Sequence, residues 1–507
     1  MSTFSTPGVY VSETPLSSLT SSAVGITAAA FFGEAERGPT EPTLIRDWNT
    51  YRNVFGELST AYDLGYAVYH YFSNGGRGAY VRRVINAAAT TASYTGVAFT
   101  PGGTSGGASA ALFDVEAVSA GDWGNGVSVT TLPGNTPPDA TTVGTFTLVV
   151  ALNGVEVERW PDVSVDPDAN RYVDPVVNNY SRYIRVANVV NATPEADLAY
   201  DSTARTLSGG SQAPVADSDY VNALPDLDGL TGNLILNAVG KTSSTVITAF
   251  INKAVSRGDS FVIIDPSADD TNLSEIQATA ANFSGLSNGG YAAHYAPMLE
   301  MVDPAKTGSA AIRTTYPGGA VAGLYVRTEV ERTVAKAPAG FNADIRGALG
   351  LTVPITDADI GTLYDGNPQV NSFKAIPGAG VTVYGARTLQ KVNPDKFISV
   401  RRTLNFVKSS LKDLTQFAIF EPNDERLWNS INMSVSGFLA DFWRSGGLKG
   451  ARAAEAFYVL CDETNNTPAS IDQGIVNVQV GVALQFPAEF IVITLSQWTG
   501  GSNAVES

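Results

Sequence analysis

The sequence predicts a mixed α/β (α+β) protein: layered α/β core domains, an inserted all-β outer domain and extended terminal β arms. Three observations predict it. Apolar runs such as AVGITAAAFFG and FVIID alternate with segments of helical period, the rhythm of a sheet covered by helices. Between residues 86 and 205 that period gives way to short apolar runs separated by Gly, Pro and Asn clusters. Each chain end carries a β-prone patch too small to build a core alone. With 507 residues, 44% hydrophobic and 16% charged, the chain has material for roughly three packed domains.

The elements follow in order. Residues 1–20 form a Ser/Thr/Pro-rich arm whose β patch is Val9, Tyr10 and Val11, and which joins the C-terminal domain. Residues 21–85 hold a buried strand in AVGITAAAFFG, an aromatic helix in DLGYAVYHYF and a strand in AYVRRV after the Gly75-Gly76 turn. The 86–205 insertion carries GVSVTTL, TFTLVVALNG and YIRVANVV, with 13 Asp/Glu against 5 Arg and no Lys, so its surface is acidic. Residues 206–370 return to α/β and complete the middle domain begun by 21–85. Here a helix starts near Ser243, with Val246, Ile247, Phe250, Ile251 and Ala254 on one face and Gly258 as its stop. FVIID, a helix around 273–284, the strand-like AAHYAPML and a helix near 319–335 follow. Residues 371–507 are the inner C-terminal domain. Within 374–452 the charge reverses to 12 Lys/Arg against 6 Asp/Glu, largely on two amphipathic helices. Leu404, Val407, Leu411 and Leu414 mark the first, and Leu427, Ile431, Val435, Phe438 and Phe442 the second. The last apolar run, EFIVITLSQW, reads as a terminal strand.

Composition excludes several functions. A net charge of −17 repels phosphate backbones, so no nucleic acid is expected as a partner. One cysteine, Cys461, and two histidines, His70 and His294, allow no intrachain disulfide and no Cys/His metal centre; no metal and no cofactor are expected. The N-terminus lacks a basic-then-apolar leader and no run of 18 apolar residues occurs, so cytoplasmic assembly without direct membrane insertion is expected.

Further blocks punctuate the chain: PGVYV (7–11), FFGEAERGP (31–39), Phe55-Gly56, FSNGGRGAYVRRV (72–84), KAPAG (336–340), VYGARTL (383–389) and ISVRR (398–402), then FEPNDERLW (420–428), GGLKG (446–450), CDETNNTP (461–468) and PAEFIV (487–492). In their order and spread these resemble the contractile tail sheath proteins of phages and related injection systems. The resemblance covers both ends and the middle and departs in 86–205, where no motif is recognised. It implies a structural subunit that polymerises helically around an inner tube and contracts without ATP to drive the tube through a cell envelope. Implied partners are further copies of itself in stacked rings, an inner tube protein, and baseplate and terminator or cap proteins. The destination would be a phage virion tail or an injection particle, released or retained in the cell. Family members exchange terminal strands, which assigns inter-subunit pairing to Val9, Tyr10 and Val11 and to Phe490, Ile491, Val492, Ile493, Thr494 and Leu495. The basic segment supplies candidate tube-facing residues Lys408, Lys412, Arg426, Arg444 and Lys449, against a reading as ordinary solvated helix faces.

Two enzyme readings compete. GKTS at 240–243 matches the end of a phosphate-binding loop, but Ile235 stands where that pattern needs glycine, and a Ser-capped helix start explains it. GLSNG at 285–289 fits a nucleophile-elbow formula, yet follows a helix and lacks a suitably placed histidine; GTSGG at 103–107 fits it within a loop. His70, His294 and Cys461 read as core residues, and no catalytic residue is assigned. A third reading makes the acidic insertion an adhesin module for receptors or glycans. Either terminal strand could instead fold back on its own subunit.

Overall fold

The computed structural model describes residues 27–490 apart from 102–109, 136–143, 191–197, 200–202, 309–310 and 393. At its centre lies a seven-stranded sheet. Its spatial order is Val370–Asn371, Ala292–Tyr295, Ser260–Ile264, Leu234–Ala238, Ala28–Gly33, Ala79–Arg83 and Thr43–Ile45. All neighbours are parallel except the last strand, which runs antiparallel along the edge. The continuous apolar run AAAFF reflects burial on both faces, because successive side chains point to opposite sides. Phe31 enters a core with Tyr71, Val81 and Leu324, whereas Phe32 enters another with Leu236, Phe250 and Val262.

Helices Leu64–Ser73 and Gly318–Glu331 cover the first face and Ser244–Arg257 the second. The first pair packs almost backbone to backbone. A Cβ on Gly319 would lie 2.1 Å from the Ala67 carbonyl oxygen, and one on Gly323 2.4 Å from that of Tyr71. Gly258 ends Ser244–Arg257 at φ 74°, in the left-handed region where glycine carries no Cβ penalty. Ser243 occupies the N-cap of that helix, but its side chain makes no capping hydrogen bond, contrary to the Ser-cap expectation.

The insertion consists of two four-stranded antiparallel sheets. Ser93–Pro101, Ala110–Ala117, Ile184–Ala187 and Leu198–Ala199 form one; Val127–Pro133, Phe146–Leu152, Val155–Val163 and Arg205–Thr206 form the other. Val115, Val127, Leu148 and Val163 help fill the core between them. Two arginines fasten this module to the α/β body. Arg83, on the central sheet, donates to the carbonyls of Ala35 and Glu36 and to Ala120 and Gln212. The Arg37 guanidinium lies 4.2 Å over the Tyr183 ring.

The hairpin Phe373–Ile376 and Gly380–Val383 gives Phe373, Val381 and Val383 to the core of the α/β body. Helices Ile398–Leu414 and Glu425–Arg444 and the two-stranded sheet Phe457–Leu460 with Gln479–Val482 surround a separate core. The second helix buries Leu427, Ile431, Val435, Phe438 and Phe442 as its spacing predicts, with Gly446 at φ 83° just beyond its end. The first meets the amphipathic expectation in part, with Val407 in that core and Leu411 and Leu414 packed against it. It buries Phe406 and Val407 against the C-terminal core, and on another side Arg401, Arg402, Asn405 and Ser410; Leu404, Leu411 and Leu414 are only half-buried. Its polar side is an internal joint: the Asn405 amide donates to the Ser260 carbonyl at the end of the central sheet. Part of the positive charge expected on a basic face is therefore sequestered.

Candidate assembly interface

Both places where the described chain begins and ends are held by buried charge. At the start, the Thr27 amide and hydroxyl donate to the Glu329 carboxylate at 3.2 and 2.7 Å. Arg402 Nη2 donates to the same carboxylate at 2.8 Å, and its guanidinium lies over the Tyr325 ring. The knot joins three segments, from the first strand, the Gly318–Glu331 helix and the first C-terminal helix. At the other end, Arg387 reaches Glu489 with Nε at 3.1 Å and Nη2 at 2.7 Å, while its guanidinium stacks 3.6 Å over the Tyr364 ring. The Tyr364 hydroxyl also donates to Glu489. Partial burial works against ionisation of Glu489, but hydrogen bonds from Arg387 and Tyr364 outweigh it and hold the carboxyl below its ordinary range. Immediately beyond this clamp, Phe490 is 77% exposed.

Among the described residues, the C-terminal core carries a sheet of two strands. Phe457, Tyr458, Val459 and Leu460 pair with Val482, Gly481, Val480 and Gln479, and all four residues of the first strand are half-buried. Beyond the paired strands, the Ala483 amide donates to the Ala456 carbonyl, and a bridge joins Leu448 to Leu484, with the Lys449 amide donating to the Ala483 carbonyl. Polar residues of the FEPNDERLW and CDETNNTP blocks brace it. Asn465 donates to the Leu460 and Asn477 carbonyls, and the Asn477 amide donates to Asn466. Asn423 accepts from the Trp428 indole and donates to the Ile475 carbonyl; Asp424 caps the second helix by accepting from the Leu427 amide. A half-apolar hairpin to which no third strand is joined among the described residues is marginal alone and invites further strands.

The structure distributes the predicted interface residues unevenly. Lys412, Arg426, Arg444 and Lys449 are exposed and Lys408 is half-buried. Arg426 and Arg444 sit on one line of the second helix, about 27 Å apart by its rise, and Arg444 pairs with Asp441 at 2.6 Å. Phe490 is described and exposed; Val9, Tyr10, Val11 and Ile491, Val492, Ile493, Thr494 and Leu495 lie outside the described residues. Sequence reading missed Arg387, Glu329, Thr27 and the partnership of Glu489. Arg387 falls within VYGARTL and Glu489 within PAEFIV, but pairing across 102 positions leaves no local signal.

The motifs that suggested enzymes carry other duties. The Gly240 amide donates to Asp265, which also accepts from Asn237 and the Gly318 amide, and Lys241 lies over the Tyr220 ring. A buried carboxylate thus takes up the Gly240 amide. GLSNG forms a turn with Gly285 and Asn288 at positive φ. GTSGG at 103–107 lies outside the described residues. His294 is buried within the central sheet against Phe283, and burial pushes it down to about 4. Cys461 is buried, and desolvation pushes its thiol up to about 11, which leaves it protonated at neutral pH. Among the described residues, no group of three or more His, Cys, Asp or Glu could hold a metal ion, and no helix is long and apolar enough to cross a membrane.

A family profile described as the phage tail sheath C-terminal domain matches residues 392–497, the segment that contains the two helices and the open hairpin. Two curated relatives are both named tail sheath protein: that of Vibrio phage KVP40 is 32% identical over 157 residues, and that of Enterobacteria phage T4 is 30% identical over 155. The C-terminal segment of the chain is thus similar to the phage tail sheath C-terminal domain. The aligned stretches cover 31% and 30% of this chain and 22% of either relative. The fold extends the likeness across the sheath proteins. The contracted sheath complex of an extracellular contractile injection system, PVC, superposes with a TM-score of 0.57 at 21% identity, covering 98% of this chain and 99% of that one. A sheath tail protein of Listeria innocua gives 0.60 at 15% identity, covering 88% and 90%.

Proposed function

We propose that this chain is the structural, non-enzymatic subunit of a contractile sheath, which polymerises helically around an inner tube through exchanged terminal strands. The observation that carries the reading is the two-stranded sheet of Phe457–Leu460 and Gln479–Val482, together with the charged clamps at Thr27 and Glu489. Val9–Val11 and Phe490–Leu495 add as strands to that sheet in neighbouring subunits. The contact is head-to-tail and does not close on itself, so it propagates as a helical lattice.

Residues 21–85 and 206–370 act as the middle domain, 86–205 as the outward acidic insertion, and 371–507, joined by the 1–20 arm, as the inner domain. Lys408, Lys412, Arg426, Arg444 and Lys449 face the tube. Contraction without ATP is driven by tighter association between subunits in the contracted lattice. A few kcal/mol per subunit, summed over many copies, supplies the work that drives the tube through an envelope. Assembly takes place in the cytoplasm, with baseplate and terminator or cap proteins as further partners, before the sheath serves in a phage tail or injection particle.

Truncation tests the reading. Removing residues 1–15 should leave a folded subunit, by circular dichroism and cooperative melting, that yields no cylinders in negative-stain micrographs where the full chain does. Cylinders of unchanged length from the truncated chain would overturn strand exchange.

A further inference from the structure

A cleft of about 530 Å³ opens where the insertion meets the α/β body, lined on one side by Gly38, Pro39 and Asn53 and on the other by Ser119, Arg182 and Arg185. Arg83 forms part of its floor. The size and the position at a joint between two cores suit a small ligand. Its charge is unusual for this chain. The insertion carries 13 Asp/Glu and only 5 Arg, yet two of those five line this cleft. Glu41, exposed, is the sole carboxylate among the lining residues.

None of the three guanidinium groups forms a carboxylate ion pair among the described residues. Arg182 Nη1 donates to the Asn53 side-chain oxygen at 2.8 Å. Arg185 Nη1 donates to the Ser181 and Ile184 carbonyls at 2.8 Å each. Arg83 is fully buried and spends its donors on three carbonyls and the Gln212 amide oxygen. Carbonyl oxygens satisfy donors but do not neutralise charge. Burial also weakens proton binding on Arg83 and Arg185, and the acidic groups around them, Glu36 and Glu34 near the first and Glu158 near the second, offset it only in part. Arginine forks match oxyanions geometrically.

We propose that this cleft binds a small multivalent oxyanion, bearing phosphate or carboxylate groups, between Arg182 and Arg185 of the insertion and the body. Bound there, the anion ties insertion to body and stiffens the joint. The inference is independent of the sheath assignment, since it concerns the isolated subunit. It is tested on the full chain by thermal unfolding and calorimetric titration with inorganic pyrophosphate and with citrate, against sodium chloride at matched ionic strength. The expected result is a saturable rise in melting temperature beyond the chloride control, with binding weakened about tenfold or more in Arg182→Ala/Arg185→Ala. Asn53→Asp, which places a competing carboxylate beside Arg182, should weaken binding too and carries the test if the double variant does not fold. No effect beyond chloride, or equal binding in wild type and variants, would mean an adventitious ion only and overturn the site.

Discussion

Asp265 is wholly buried at the end of a central strand, and burial, countered in part by donation from Asn237, Gly240 and Gly318, pushes its carboxyl up to about 6. Three donors converge on two oxygens, so Asp265→Asn turns an NH2 group toward a donor. The expected cost is roughly 1–3 kcal/mol in denaturant unfolding, and an unchanged midpoint would contradict the network. His70 and His294 act in the opposite pH sense. Burial pushes both down to about 4, far below the unfolded value near 6.5. Between those values the unfolded chain binds protons that the fold refuses. Their stabilising effect is therefore complete above about pH 6.5 and is lost as pH falls toward 4. His70→Gln and His294→Gln remove that loss. The stability gap between wild type and variant should shrink as pH falls from 7 to 4.5, and a constant gap would show that neither histidine is held neutral.

At the scale of elements, the two helices on one face of the central sheet depend on the absence of side chains at Gly319 and Gly323. Because the atoms in the way are backbone carbonyls, Gly319→Ala must push the helices apart, at an expected cost of about 1–3 kcal/mol in thermal or denaturant unfolding. Wild-type stability in that variant would refute the packing. The Glu329 knot gives a second test. Glu329→Ala leaves Arg402 buried without its carboxylate, an expected loss of about 3–5 kcal/mol, while Glu329→Leu/Arg402→Met recovers most of it. Failure of the double variant to recover would show that the pair acts through more than its charge. These elements also show what a sequence discloses. The runs AAAFF and FVIID and the helix from Ser244 were readable because apolar period and Gly258 are local signals. The first C-terminal helix was readable as a helix, but not the burial of its polar side, because a polar face looks the same whether it meets water or partners such as Glu329 and the Ser260 carbonyl.

For the whole molecule, the chain order of motifs carried the resemblance that the profile match over residues 392–497 supports in the C-terminal segment. The candidate interface was only half legible. The β-prone ends stood out, but the acceptor hairpin and the clamps at Thr27 and Glu489 join residues tens to hundreds of positions apart. If the arms tether subunits, the clamps set where each arm leaves, so Arg387→Ala should keep the core folded yet lower the yield of ordered cylinders by electron microscopy; undiminished order would remove the clamp from assembly. The most direct test is a cryo-electron microscopy map of assembled cylinders, traced from Thr27 and Phe490 outward. The account expects both ends to enter the Phe457–Leu460 and Gln479–Val482 sheet of other subunits. Density that returns both ends to the sheet of their own subunit would contradict it.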